Sequence, residues 1–166
     1  MSIYLEMEGI KGNVTSGEYK DQIEISFFNF SVGRSVSMTP GSVANREAGT
    51  PQLSEIQLTK PLDNSSPHLF NASVAAAQGK TAKIHFVRTA DGKSAEFMTY
   101  ELKDCVVSGY SISAEGGDAG GEASNPTENV TLSYTQLVVS HTQYDKTNKV
   151  GQPIRSGYDL AEAKAI

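Results

Sequence analysis

Hydrophobicity that alternates with a period of two residues dominates this sequence and commits most of the chain to β-strands. In residues 3–8, Ile3, Leu5 and Met7 fall on one side, and Tyr4, Glu6 and Glu8 on the other. Residues 23–32 place Glu24, Ser26, Phe28, Phe30 and Val32 on one face, and Ile23, Ile25, Phe27, Asn29 and Ser31 on the opposite face. Large apolar groups on both faces predict a strand covered on both sides. A further strand is predicted over 53–59. The runs TAKIHFVRT (81–89) and SAEFMTYELK (94–103) read as a hairpin, because Asp91 and Gly92 between them tolerate the positive φ of tight turns. Strands over 104–114 and 129–144 complete the pattern.

The stretch DNSSPHLFNASVAAAQG predicts the one helix, over about 66–78. Ser66 suits the N-cap, Pro67 the first helical position, and Gly79 the chain just past the end. Phe70, Val74 and Ala77 recur at helical spacing and are predicted to pack on the sheets. Residues 39–52 (TPGSVANREAGTPQ) and 115–128 (EGGDAGGEASNPTE) carry Gly, Pro, Ser and Asn without periodicity; loops of such length in a small domain are usually functional or disordered. The chain from Asp145 is polar until GYDLAEAKAI, where Tyr158 and Leu160 are candidates to anchor a final strand or short helix. A length of 166 residues fits one domain over 1–166. The predicted fold class is mainly β: an antiparallel barrel or closed two-sheet sandwich carrying one α-helix and one long extended loop.

Composition removes several functions. A net charge of −5 argues against nucleic acid, whose binders carry a basic footprint. No apolar run approaches the ~20 residues of a membrane span, so membrane insertion is not expected. The single Cys105 has no internal disulfide partner, and its Val-rich strand context predicts a small buried hydrophobe rather than a nucleophile. The N-terminal residues lack a basic region and a long apolar run, so no cleaved signal peptide is expected. His68, His85 and His141 show no HxH, HExxH or CxxC context, and no metal or other cofactor is called for. No GxSxG elbow appears; Glu6 and Glu8 read as a solvated strand face rather than a catalytic carboxylate pair. EGGDAGG (115–121) lacks GxxxxGK[ST], and its acidic residues would repel phosphate. No catalytic residue is assigned. Long loops, two-faced strands and a polar tail point instead to contacts with other chains.

An ordered set of segments resembles the haemolysin-coregulated protein (Hcp) family, the tube subunit of type VI secretion systems. The set runs YLEMEGIKG (4–12), IEISFFNFSVG (23–33), LTKPLDNSSPHLF (58–70), IHFVRTADG (84–92), YELKDCVVSGYSIS (100–113), NPTENVTLSYTQLVVSHTQYD (125–145) and GQPIRSGYDLAEAKAI (151–166). It covers essentially the whole chain. The family often carries Trp near Phe28 or Phe30 and where Tyr158 stands; this chain has no Trp, and Phe and Tyr keep the aromatic packing role.

The resemblance implies a hexameric ring of β-barrel subunits stacking into a hollow tube. Such a tube is assembled in the cytoplasm inside a contractile sheath, capped by a spike protein and then secreted, carrying effectors in its lumen. Strand parity and the resemblance together place Phe28 and Phe30 in the core and Asn29 on the lumen wall, as a candidate effector contact. The 39–52 stretch matches the family's extended loop, making Ser42, Val43, Ala44, Asn45, Arg46 and Glu47 candidates for ring stacking; Arg46 and Glu47 are suited to pair across that contact. Tyr158 and Leu160 are candidates for a C-terminal contact. An alternative from a different class is a non-catalytic carbohydrate-binding or adhesin-like β-sandwich module; exposed aromatic triads at the loop tips would favour it, and the two long loops contain none.

Overall fold

In a computed structural model, residues 1–36, 40, 48–75, 78–90, 93–117, 124–144 and 151–166 are described. The alternation delivers the expected antiparallel architecture. Strands β1 (Ser2–Met7), β2 (Ile23–Ile25), β7 (Lys80–Ala90), the first half of β8 (Lys93–Ser113), β10 (Gln136–His141), β11 (Ile154–Asp159) and β12 (Lys164–Ala165) form sheet A in the order β12-β11-β10-β8-β7-β1-β2. Sheet B joins β3 (Phe27–Asn29), β6 (Ile56–Pro61), β9 (Thr127–Ser133) and the second half of β8. A two-residue pair, β4 (Val32–Gly33) with β5 (Gln52–Leu53), stands apart. The helix α1 spans Ser66–Val74. Among the described residues, no helix is long and apolar enough to cross a membrane.

The two sheets enclose one apolar layer. Ile3, Leu5 and Met7 of β1, Ala82, Ile84 and Phe86 of β7, and Leu102 of β8 meet Ile56 and Leu58 of β6 and Val130 and Leu132 of β9. Cys105 is fully buried here, as its context predicts.

Chain crossings between the sheets correct four predicted strands. The run 23–32 is a corner rather than one strand covered on both sides. Ile23 and Ile25 point into the core from β2, whereas Phe28 and Phe30 do so beyond Ser26, one residue out of phase. The backbone N–H of Ser26 donates to the Thr59 carbonyl (2.8 Å), and its Oγ donates to the same oxygen (2.9 Å), holding the bend. β2 therefore pairs with β1, and β3 pairs with β6. The ladder is interrupted there, so the molecule is the two-sheet sandwich and not the closed barrel. Likewise, 94–103 and 104–114 form one long strand that turns from sheet A into sheet B at Asp104, whose φ is +48°. The predicted 129–144 strand breaks into β9 and β10 around Tyr134 and Thr135, and Thr135 ties the turn to β8 by donating to Asp104 Oδ2 (2.9 Å). The C-terminal residues form the hairpin β11–β12, the strand option for Tyr158. The turn residues Asp91 and Gly92 lie outside the described residues.

The helix differs from expectation in which face it buries. Leu69 is wholly buried and Ala72 packs on the core, whereas Phe70 is 54% and Val74 65% exposed. Ala77 lies outside the described residues. The docked stripe is Ser66, Leu69 and Ala72, spaced by three, and Phe70 is rotated about 100° from it. Ser65, not Ser66, is the N-cap residue; it makes no side-chain cap bond, and Asp63 instead accepts from its backbone N–H (2.9 Å).

Candidate assembly surfaces

Ser66 is not free to cap because it belongs to a buried polar cluster beneath the helix. In β6 the inward positions are Ile56, Leu58 and Lys60; in β9 they are Glu128, Val130 and Leu132. Strict parity therefore drives one lysine and one glutamate into the core, and the register pairs them directly across the two strands. Both side chains are fully buried and form an ion pair. Lys60 Nζ also contacts Asp63 Oδ1 (2.9 Å) and donates to the Pro61 carbonyl (2.8 Å), while the Ser66 hydroxyl donates to Glu128 Oε2 (2.7 Å). The Tyr110 hydroxyl donates to the other carboxylate oxygen of Glu128. Burial pushes the Glu128 carboxyl up, but the hydrogen bonds from Lys60, Tyr110 and Ser66 outweigh it and hold the group below the usual 4.5. Burial and the Glu128 charge together push the Tyr110 hydroxyl up to about 12.

A carboxyl group depressed in the folded state contributes stability above its unfolded value and loses it as pH falls through the folded value. Acidification below about pH 4.5 is therefore expected to lower the urea midpoint progressively. A midpoint constant from pH 6 to pH 3 would contradict this assignment.

The two outer faces differ in chemistry. Outward positions of sheet B align as Asn29, Gln57 and Thr131, and beside them Phe27, Thr59, Asn129 and Ser111. Asn29 Nδ2 donates to Gln57 Oε1 (3.5 Å), and Thr59 Oγ1 donates to Asn129 Oδ1 (2.8 Å). None of these side chains is charged. The outer face of sheet A instead carries Glu6, Lys83, Glu101 and Arg155, linked by Lys83–Glu101 (3.6 Å) and Arg155–Glu101 (2.9 Å) pairs.

Opposite edges of sheet B carry separate apolar surfaces. At the β8 edge, Phe70 of α1 stacks edge-on against Tyr110 (5.9 Å between centroids), and Leu62, Val74 and Ile112 are exposed among the nearby elements. At the β3 edge, Phe27 and Val32 are exposed, and a groove of about 240 Å³ opens between Phe30, Val32, Leu53, Leu137, Val139 and Tyr158. Tyr158 is half-buried in this groove, and Leu160 beyond it is exposed, so the two C-terminal candidates lie beside the β3-edge surface. Asn29 stands exposed with Phe28 and Phe30 turned inward, in the parity expected of it. Ser42, Val43, Ala44, Asn45, Arg46 and Glu47 lie outside the described residues.

The Cys105 thiol is pushed up to about 12 by burial, far from a reactive thiolate. Among the described residues, no group of three or more His, Cys, Asp and Glu side chains is placed to hold a metal ion.

The model of the family described as "Type VI secretion system effector, Hcp" matches residues 4–141. The chain belongs to the Hcp family. Protein hcp1 of Pseudomonas aeruginosa is 28% identical over 110 residues, a match covering 65% of this chain and 64% of that relative, just under two thirds of its length. A solved structure of a type six secretion system protein superposes with a TM-score of 0.87 at 23% identity, covering 99% of both chains. Hcp1 from Salmonella typhimurium gives 0.73 at 23% identity, over 99% of this chain and 98% of that one. The latter two show a shared fold, and the family match makes this chain a type VI secretion protein of the Hcp kind.

The sequence reading missed the Lys60–Glu128 pair and misassigned the helix face. A signal for the pair was present: continuing the 56, 58 and 128, 130, 132 parities places both charges inward. The helix face carried no comparable signal, because Phe70 is more apolar than Ser66, which belongs to the docked stripe.

Proposed function

We propose that this chain is a tube subunit that closes head-to-tail with its own copies into a hexameric ring. Rings stack into a hollow tube that is assembled in the cytoplasm within a contractile sheath, meets a spike protein at its tip, and is secreted without a cleaved signal. The protein acts in structure and transport rather than catalysis. The observation that carries this reading is the pair of unlike apolar surfaces on opposite edges of sheet B. A ring needs a head-to-tail contact in which one patch meets a different one, whereas a self-complementary patch stops at a dimer. Exposed apolar groups gathered at an edge suit an interaction site.

The uncharged face of sheet B, with Asn29 at its β3 edge, suits a lumen wall that carries effectors. The charged face of sheet A suits the solvent side. Replacing Asn29 with Arg is expected to leave rings intact and to reduce effector retention in pull-downs; unchanged retention removes Asn29 from the wall. Deleting residues 42–49 is expected to leave rings but abolish tubes in electron micrographs, and normal tubes would refute the stacking role.

Sedimentation tests the ring itself. The purified chain is expected to run as six times 17.8 kDa. Phe70→Glu and Val32→Glu should each give monomers, because each places a charge in one of the two surfaces. Mixing these two variants should restore a one-to-one dimer, since each keeps the surface the other lost. A clean wild-type monomer, or variants that stay hexameric, would defeat the reading.

A further inference from the structure

Sheet A carries a second, smaller packed cluster on its outer face, away from the main core. His85 lies at the centre of β7, directly opposite Tyr4 of β1 and Thr99 of β8, and its side chain faces outward. It is nevertheless only 6% exposed. The cover is a short excursion of the chain between β1 and β2. Its 3-10 turn, Gly17–Tyr19, lays the Tyr19 ring over the sheet, stacked on Tyr4 (4.9 Å between centroids) and edge-on to His85 (5.5 Å). Tyr19 is itself 6% exposed. The excursion is closed by its own backbone bonds, with Gly12 N–H donating to the Asp21 carbonyl (2.8 Å), Asp21 N–H to Val14 (2.8 Å) and Val14 N–H to Gln22 (3.1 Å).

The imidazole is held from both sides. Nδ1 contacts a Glu96 carboxylate oxygen on β8, and Nε2 lies 3.3 Å from Glu6 Oε2 on β1. An ionised carboxylate only accepts hydrogen bonds, so both ring nitrogens must carry protons for both contacts to be favourable. The arrangement is complete only in the imidazolium form. The ring is also packed against Tyr19 at 5.5 Å between centroids, which shields it from solvent. We propose that His85 is a proton-operated latch that holds the 13–22 flap against the outer face of sheet A, closed when the ring is doubly protonated and loosened when it is not.

The remaining charged and titratable groups around His85 do not compete for this role. On β1 these are Glu6 and Tyr4; on β8, Glu96; on the flap, Glu18 and Tyr19; on β7, Lys83, which pairs with Glu101; and Tyr144 lies near Tyr19 after β10. The Tyr19 hydroxyl is pushed up to about 12, chiefly by burial, and stays neutral. The hydrogen bond from His85 holds the Glu96 carboxyl below the usual carboxylate range. Histidine is the side chain that ordinarily changes charge between pH 5 and 8.

Hydrogen exchange from pH 5.5 to 8.5, corrected for the intrinsic rate, tests the latch on the whole protein. Protection of the flap amides of Tyr19, Asp21 and Gln22 is expected to fall by about tenfold with rising pH, while that of Ile84 in β7 stays constant. In His85→Gln, the flap should show the weaker protection at every pH. Wild-type flap protection independent of pH, or the same decline in His85→Gln, overturns the proposal. Ring ¹⁵N shifts of His85 in the wild-type protein supply a readout independent of any variant: a neutral ring at pH 5.5 also overturns it.

Discussion

Replacing Lys60 with Ala is expected to destabilise the protein by about 3–5 kcal/mol, the cost of leaving a buried charge without its partner. Lys60 and Glu128 are both fully buried, and among the described residues the carboxylate's other hydrogen-bond donors are the hydroxyls of Ser66 and Tyr110. Those hydroxyls do not neutralise it. Small domains are stable by about 5–15 kcal/mol in total, so this loss is a large fraction of what holds the sandwich together. Removing both charges in the double variant Lys60→Met, Glu128→Leu is expected to be less damaging than either single loss, because neither member of the fully buried pair is left uncompensated and the remaining cost is the Asp63 contact with the lysine. Urea unfolding at pH 7 checks both statements. A Lys60→Ala loss under about 1 kcal/mol would mean that water reaches Glu128, and the pair would then have the small worth of a surface ion pair.

The second large effect separates two adjacent helix residues. Leu69→Ala is expected to cost about 2–5 kcal/mol, because Leu69 is wholly buried and is the main apolar anchor of α1 among its described residues. Phe70→Ala should cost about 1 kcal/mol or less, since the ring is 54% exposed and its closest aromatic neighbour is Tyr110, met edge-on. In sedimentation the order should reverse: Phe70→Ala weakens the ring while leaving the subunit folded. Equal thermal unfolding losses for the two variants would mean that the helix docks through both faces, and the β8-edge surface would no longer be available to a neighbour.

These two residues show where sequence reading stops. Apolar spacing identifies a helix and its approximate span, but Phe70–Val74 and Ser66–Leu69 are both acceptable stripes. The choice between them came from Glu128, 62 residues away in the chain, which accepts the Ser66 hydroxyl and so turns that side of the helix inward. The corner at Ser26 is similar. Period two is a local property and survives a bend, yet it cannot say at which residue the chain leaves one sheet for the other and exchanges its inner and outer faces. Ile23 lies in the core and Phe28 packs against it, although no uninterrupted strand would turn both the same way.

The Asn29 parity was readable because Phe28 and Phe30 flank it; the lumen role proposed for it was not, because a lumen would exist only between copies. The antiparallel β class, the helical stretch, the buried Cys105 and the family resemblance were all present in the sequence, since alternation, a proline in the first helical turn and ordered motifs are local and survive without neighbours. Which apolar groups are spent inside and which remain for a partner was decided only by the tertiary structure, because burial is set by contacts between residues far apart in the chain.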